Sequence, residues 1–205
     1  HTTCRRQRQM CIRDSSCTSC PNFSTSLQGS HLRYNCTCNE GYDWTGVDCT
    51  PCNPGYSKSD LGNNVKYACG PCEVGTYTAE FGAVACSPCP NNTFQNLTSQ
   101  SSCQTCRDHS VSDSGSSDAL DCLCLPGYYF CQDCQKCKPC LSGFFKETTA
   151  NEACLSCGVG YSTDSQESNS TDDCLVCPAH SYIQTDEVLG RTCESCPENL
   201  SLIHI

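Results

Sequence analysis

Cys69-Gly70-Pro71-Cys72-Glu73-Val74-Gly75-Thr76-Tyr77 and, one step further on, Cys86-Ser87-Pro88-Cys89-Pro90-Asn91-Asn92-Thr93-Phe94 carry the same phrase: a C-x-x-C pair, a turn residue three places past its second cysteine, then an aromatic ring. The phrase recurs along the chain. C-x-x-C pairs start at Cys17, Cys49, Cys69, Cys86, Cys103, Cys137, Cys154, Cys174 and Cys193, and two C-x-C pairs, Cys36/Cys38 and Cys122/Cys124, interrupt them at matching places. A larger unit therefore occurs twice, and the second copy adds Cys131 and Cys134, which read as a local extra bridge. Repetition of this kind outranks any secondary-structure signal, because missing it misassigns the whole fold.

The turn slot holds glycine at Gly41, Gly55, Gly75, Gly127, Gly143 and Gly160, and Asn92 or His180 elsewhere. These residue types tolerate positive φ, so the slot is expected to be a left-handed turn. The rings that follow are Tyr42, Tyr56, Tyr77, Phe94, Tyr128, Phe144, Tyr161 and Tyr182. Each is expected to lie over a neighbouring disulfide or the next turn, a miniature core of one ring and two sulfurs. Alternations such as Gly75-Thr76-Tyr77-Thr78-Ala79 suit strands of four or five residues, and helical periodicity is absent.

Composition agrees with a stapled chain. Cysteine supplies 26 of 205 residues, above the roughly 8–10% that marks a disulfide scaffold. Leu, Ile, Val and Phe together supply only 31, too few for a conventional core at this length. Cross-links must replace it. The net charge is −10, and residues 103–198 hold 15 of the 22 acidic side chains, a body unsuited to a phosphate backbone. No apolar run approaches the ~20 residues of a membrane span, and the start lacks a signal-peptide core, so the chain is expected to be a piece of something longer.

Four regions follow: an unassigned leader at 1–16, a first cysteine-rich unit at 17–102, a second of the same order at 103–197, and a tail at 198–205. The leader holds Arg5, Arg6, Arg8 and Arg13, best taken as a solvated basic tail rather than a convertase site, and Cys4 and Cys11 obey none of the later spacing. Both terminal segments, with the strings 9–15 and 201–205, read as artefactual additions.

C-x-x-C pairs at this spacing also suit four-cysteine zinc sites. The acidic body, the even cysteine count and the absence of a histidine pair at ligand spacing favour disulfides, hence an oxidising compartment. Sequons at Asn22, Asn35, Asn91, Asn96 and Asn169 are glycosylation candidates compatible with that compartment, and a sixth, Asn199, lies at the doubtful tail. The economical pairing joins the second cysteine of one pair to the first of the next: Cys52 to Cys69, Cys72 to Cys86, Cys89 to Cys103, Cys140 to Cys154, Cys157 to Cys174 and Cys177 to Cys193. Cys20, Cys36, Cys106 and Cys122 are disulfide candidates of the same kind. A first-to-first, second-to-second pattern stays open. Closing a loop of about 15 residues contributes roughly 3 kcal/mol in the chain-entropy model. Either pairing implies a small disulfide-rich fold: an elongated array of short β-hairpin and irregular cysteine-rich repeats, with little helix and no large hydrophobic core, each rung touching only its neighbours.

The phrase resembles the ephrin-receptor-like cysteine-rich repeat, C-x-x-C-P-x-G-T-Y/F, and the segments from Cys36 to Tyr42 and from Cys122 to Tyr128 are similar to the EGF-like element that accompanies it. Related grammar occurs in TNF-receptor-like and furin-like modules. Proline follows the second cysteine only at Pro21, Pro90, Pro178 and Pro197. The resemblance implies a non-enzymatic extracellular region of a receptor-like or adhesion-type surface protein, a rigid spacer and protein-binding ectodomain. Its partners would be an extracellular protein or neighbouring modules of the same chain, with no cofactor, and with a membrane reached only through segments outside this one. A protist surface coat is the rival of the same class, and an intracellular zinc-ribbon array the rival of another.

Sharper sites are outweighed. Thioredoxin-like chemistry needs a low-pKa thiol at a helix N-terminus, and no helix is expected. His1, His31, His109, His180 and His204 are scattered without a nucleophile or paired carboxylate. Asp113, Asp118 and Asp121 suggest a calcium loop, but the matching stretch Ser24 to Asn35 has no acid, so they read as a solvated loop. Trp44 reads as a cover for a bridge between Cys38 and Cys49 rather than a binding anchor, and Lys136 and Lys138 as local charge balance. Thiol counting with and without reductant, beside elemental zinc, is therefore expected to find most cysteines cross-linked and no stoichiometric zinc; many free thiols with bound metal would sink the disulfide reading.

Overall fold

Two residues separate the cysteines of most pairs because those two residues are a strand. In the computed structural model, which describes residues 9–11, 17–30, 32–62, 68–177 and 181–195, the x-x dipeptide pairs antiparallel with the dipeptide that follows the slot turn. Tyr56–Ser57 pairs with Gly70–Pro71, Thr76–Tyr77 with Ser87–Pro88, Phe144–Phe145 with Leu155–Ser156, and Tyr161–Ser162 with Leu175–Val176. So short a hairpin is not stable alone. A disulfide closes each one.

Ten such loops follow one another. Modules 1 to 10 are closed by Cys20–Cys36, Cys38–Cys49, Cys52–Cys69, Cys72–Cys86, Cys89–Cys103, Cys106–Cys122, Cys124–Cys137, Cys140–Cys154, Cys157–Cys174 and Cys177–Cys193. An eleventh bridge, Cys131–Cys134, spans three residues at the end of the module 7 hairpin, where Tyr128–Cys131 pairs with Lys136–Pro139. Module 10 has the longest hairpin, Ser181–Asp186 against Gly190–Ser195. Every strand among the described residues belongs to a two-stranded antiparallel pair, and none of those residues is in an α-helix. Single 3-10 turns at Arg33–Asn35 and Thr171–Asp173 lead into the closing cysteines of modules 1 and 9.

The chain divides into two compact units. One comprises His1–Gln104 with Asp113–Ala119, the other Thr105–Ser112 with Leu120–Ile205.

Within both units the slot turn is left-handed, with φ from 76° to 84° at Gly41, Gly55, Gly75, Gly127, Gly143 and Gly160 and 65° at Asn92; His180 lies outside the described residues. Two further slots carry aromatic side chains that conceal the pattern: Phe23, three places past Cys20, has φ 59°, and His109, three places past Cys106, has φ 58°.

The strands are shorter than the alternation in the sequence suggests, and the reason is the residue six places past the second cysteine. Its backbone leaves the hairpin to serve two other modules. The Lys58 N–H donates to the Ala83 carbonyl of module 4 (3.1 Å), while its own carbonyl accepts from the slot amide of Gly41 in module 2 (2.8 Å). Thr78 binds Gln100 and Gly55 in the same way, Gln95 binds Ser116 and Gly75, and Lys146 binds Ser168 and Gly127. A dipeptide strand is all that remains for the local hairpin.

Contacts also reach beyond the adjacent module, against the expectation of a neighbour-only ladder. A Cβ on Gly41 would stand 2.1 Å from the Gly82 carbonyl oxygen, on Gly55 2.2 Å from that of Ser99, on Gly75 2.3 Å from that of Gly115, and on Gly127 2.3 Å from that of Glu167. Each covering residue lies at the tip of the module two bridges on. Its N–H donates to a cysteine carbonyl on the intervening module: Gly82 to Cys52, Ser99 to Cys72, Gly115 to Cys89 and Glu167 to Cys140. The missing side chain is what lets two backbones approach this closely.

What is buried is mostly sulfur. Cys36, Cys38, Cys52, Cys72, Cys89, Cys122, Cys124 and Cys140 are fully enclosed, and the only large apolar side chains buried among the described residues are Phe94 and Phe145. In module 8 the enclosed ring is thus Phe145; Phe144, the ring expected from the sequence, is half-buried. Gly55→Ala is expected to cost at least ~2 kcal/mol more than Gly29→Ala in denaturant unfolding of the oxidised chain. Both glycines have left-handed φ (83° and 85°), which costs alanine ~1–2 kcal/mol, but no described residue comes within 4 Å of a Cβ on Gly29.

Candidate functional site

The side chain at the sixth position points inward in most modules, and it is polar. Lys58 is 4% exposed, Gln95 3% and Lys146 2%; Thr78, Ser112 and Thr163 are also buried. Buried polar groups persist only where hydrogen bonds replace water, and the backbone supplies them. The Lys58 ammonium donates to the carbonyls of Tyr42 and Gly62. The Lys146 ammonium donates to those of Cys124 (3.1 Å), Leu125 (3.4 Å) and Thr148 (2.8 Å). Gln95 Nε2 donates to the Ser102 carbonyl (2.8 Å), and Thr163 Oγ1 accepts from the slot amide of Gly143 while donating to Ser165.

Burial lowers the pKa of both lysines from the ordinary lysine range. Asp43 and Asp60 pull Lys58 back up, and Glu152 does so for Lys146. Each lysine ties its own module to carbonyls of the module before it. Sequence reading passed over this pair, although one signal was available: both stand six residues past the second cysteine of corresponding modules in the two copies.

Aromatic stacks mark a second repeated arrangement. Phe23 lies parallel to Tyr42, with centroids 4.3 Å apart, and His109 parallel to Tyr128 at 4.1 Å. The ring expected over a neighbouring disulfide or the next turn lies here over a turn, the left-handed one of the preceding module. Tyr42 also lies against the tip glycine Gly82, and Tyr128 shares its hydroxyl with the Glu167 carboxylate at the corresponding tip. Burial, followed by that carboxylate, raises the Tyr128 pKa. Arg107 sits 4.2 Å over the Phe130 ring. Trp44 is half-buried and directly cross-strand from Cys49, the geometry in which side chains on paired strands meet.

The sixteen cysteines singled out from spacing are brought together in eight of the bridges. Of the sequon asparagines, Asn22, Asn91, Asn96 and Asn169 are exposed and Asn35 is half-buried beside Cys36. Lys136 and Lys138 are exposed on one strand, opposite Cys131 and Tyr129. His1, His31, His180 and His204, the leader arginines, Cys4, Cys196 and Asn199 lie outside the described residues. Among the described residues no three His, Cys, Asp or Glu side chains converge to hold a metal, and Asp113, Asp118 and Asp121 form no such group. No helix among them is long and apolar enough to cross a membrane.

A family model described as tyrosine-protein kinase ephrin type A/B receptor-like matches residues 62–92, 81–122 and 127–174, together just over half of the chain. Modules 4, 5, 6, 8 and 9 lie wholly inside those matches. No curated protein matches the chain.

Lys146→Met keeps the apolar stem but leaves the carbonyl seat without a donor, so a loss of ~1–3 kcal/mol is expected in urea unfolding. Lys146→Gln should lose less, since Gln95 fills the same seat in module 5. The native ammonium gives up its proton before the unfolded one does. Wild type should therefore gain on the methionine variant as pH rises from the lowered pKa to about 10.4.

Proposed function

The chain belongs to the ephrin type A/B receptor-like family of cysteine-rich repeats, a non-catalytic type of module, and from that premise we propose that it works outside the cell as a spacer and protein-binding region of a receptor-like or adhesion-type surface protein. The observation that carries this reading is the closure of every module by a bridge and of neighbouring modules by backbone hydrogen bonds. A scaffold so held keeps its shape without a large core and leaves its surface side chains free for recognition. The eleven disulfides among the described residues require an oxidising compartment to form and persist, which supports passage through the secretory pathway. Exposed asparagines in four sequons fit the same route.

Binding would be to protein. The acidic surface of the second copy suits a basic patch on an extracellular partner and repels nucleic acid. Catalysis has no support in the arrangement: the cysteines from Cys20 to Cys193 are cross-linked, and His109 lies stacked on a tyrosine rather than beside a nucleophile.

Secreted material should yield, on non-reducing peptide mapping, the second-to-first bridges from Cys20 to Cys193 and glycopeptides at Asn22, Asn91, Asn96 or Asn169. A folded product of the reducing cytosol with the same stability, free thiols and bound zinc would overturn the reading.

A further inference from the structure

Six slot glycines are built alike, and one is uncovered among the described residues. Gly41, Gly55, Gly75 and Gly127 each lie under a tip carbonyl from two bridges on, and Gly143 lies under Arg191 of module 10. Gly160, with φ 84°, has no described residue within 4 Å of where its side chain would start. The rest of its module is regular. Its carbonyl accepts from the Cys177 N–H at 3.1 Å, as the Gly41 carbonyl does from Cys52, and Tyr161–Ser162 makes the usual dipeptide pairing.

The surface around Gly160 is correspondingly apolar. Val159 is 94% exposed, whereas Val74, which holds the same place beside the covered Gly75, is 43% exposed. Tyr161 and Val176 are directly cross-strand and both exposed.

We propose that this face is an acceptor seat for the tip of one more module of the chain's own kind, the one opening at Cys196. The register identifies the occupant. Covering tips stand ten residues past the second cysteine of their module at Gly82, Ser99 and Glu167, and nine past it at Gly115. Module 9 is covered from two bridges on, so its cap comes nine or ten residues past Cys196. In the sequence, Cys196-Pro197-Glu198-Asn199 has the form of Cys89-Pro90-Asn91-Asn92, with asparagine again in the slot. Closing the added module oxidises the Cys196 thiol and the first cysteine of the next pair to a disulfide. Two electrons and two protons pass to a disulfide oxidant such as oxidised glutathione, as for every other bridge. The proposal concerns packing between modules and is independent of where the protein works.

The full chain through Cys196, followed by a copy of residues 90–106, supplies such a module. Non-reducing peptide mapping first shows whether Cys196 pairs with the first grafted cysteine. Hydroxyl-radical labelling of Val159 and Tyr161 is then expected to fall to the level of Val74 and Tyr77. Gly160→Ala, mild in the present chain, should lower the melting temperature of the extended chain as far as Gly55→Ala does. A bridged graft with unchanged labelling and the same Gly160→Ala shift in both backgrounds would overturn the proposal. So would failure to bridge by this graft and by a second copied from residues 73–89, or concentration-dependent protection of Val159 without any graft, which would assign the seat to a second copy.

Discussion

Where a side chain would begin on Gly41, Gly55, Gly75 or Gly127, a backbone carbonyl from roughly forty residues further on already stands. That approach sets the separation of modules 2 and 4, 3 and 5, 4 and 6, and 7 and 9, and brings the sixth-position amide and carbonyl of the module between within bonding distance of those on either side. A chain with few large apolar residues cannot leave such groups unpaired in its interior. Disulfides close the loops, but the covered glycine makes the loops stack in one register.

The same constraint explains a polar interior. Once the backbone of one module faces the backbone of another, the enclosed space is lined by carbonyl oxygens, and a donor fits it better than a methyl group. Lysine, glutamine, threonine and serine occupy the sixth position in modules 3 to 6, 8 and 9. Modules 2 and 7 have Trp44 and Phe130 at the same count. Their rings accompany the aromatic stacks of Phe23 on Tyr42 and His109 on Tyr128. Each copy thus combines a ring-packed start with a lysine-locked continuation. Because the framework consumes cysteines, glycines and, in most modules, one inward side chain, the outward residues can vary without loss of fold.

Much of the fold was legible because its signals are local. A C-x-x-C pair shows where a loop closes, and glycine or asparagine three residues later shows where φ must turn positive. The strand length was misjudged, since alternation in Gly75-Thr76-Tyr77-Thr78-Ala79 does not reveal that Thr78 bonds to other modules. Phe23 and His109 hid two slots because an aromatic residue is a rare choice for left-handed backbone, tolerated here with the ring stacked on the next tyrosine. Lys58 and Lys146 hid the polar seat because a lysine reads as solvated until a partner is seen.

Sequence by itself determined the cross-linked character of the chain, its doubling and the position of the left-handed slot turns that glycine or asparagine marks. Those are covalent and steric properties settled within about twenty residues. Tertiary structure alone decided which carbonyl lies over which glycine, which polar side chain is enclosed, and that Gly160 stays uncovered by any described residue. Those depend on modules two bridges apart, and backbone carbonyls, identical in every residue, leave no mark in the sequence to show which of them will meet.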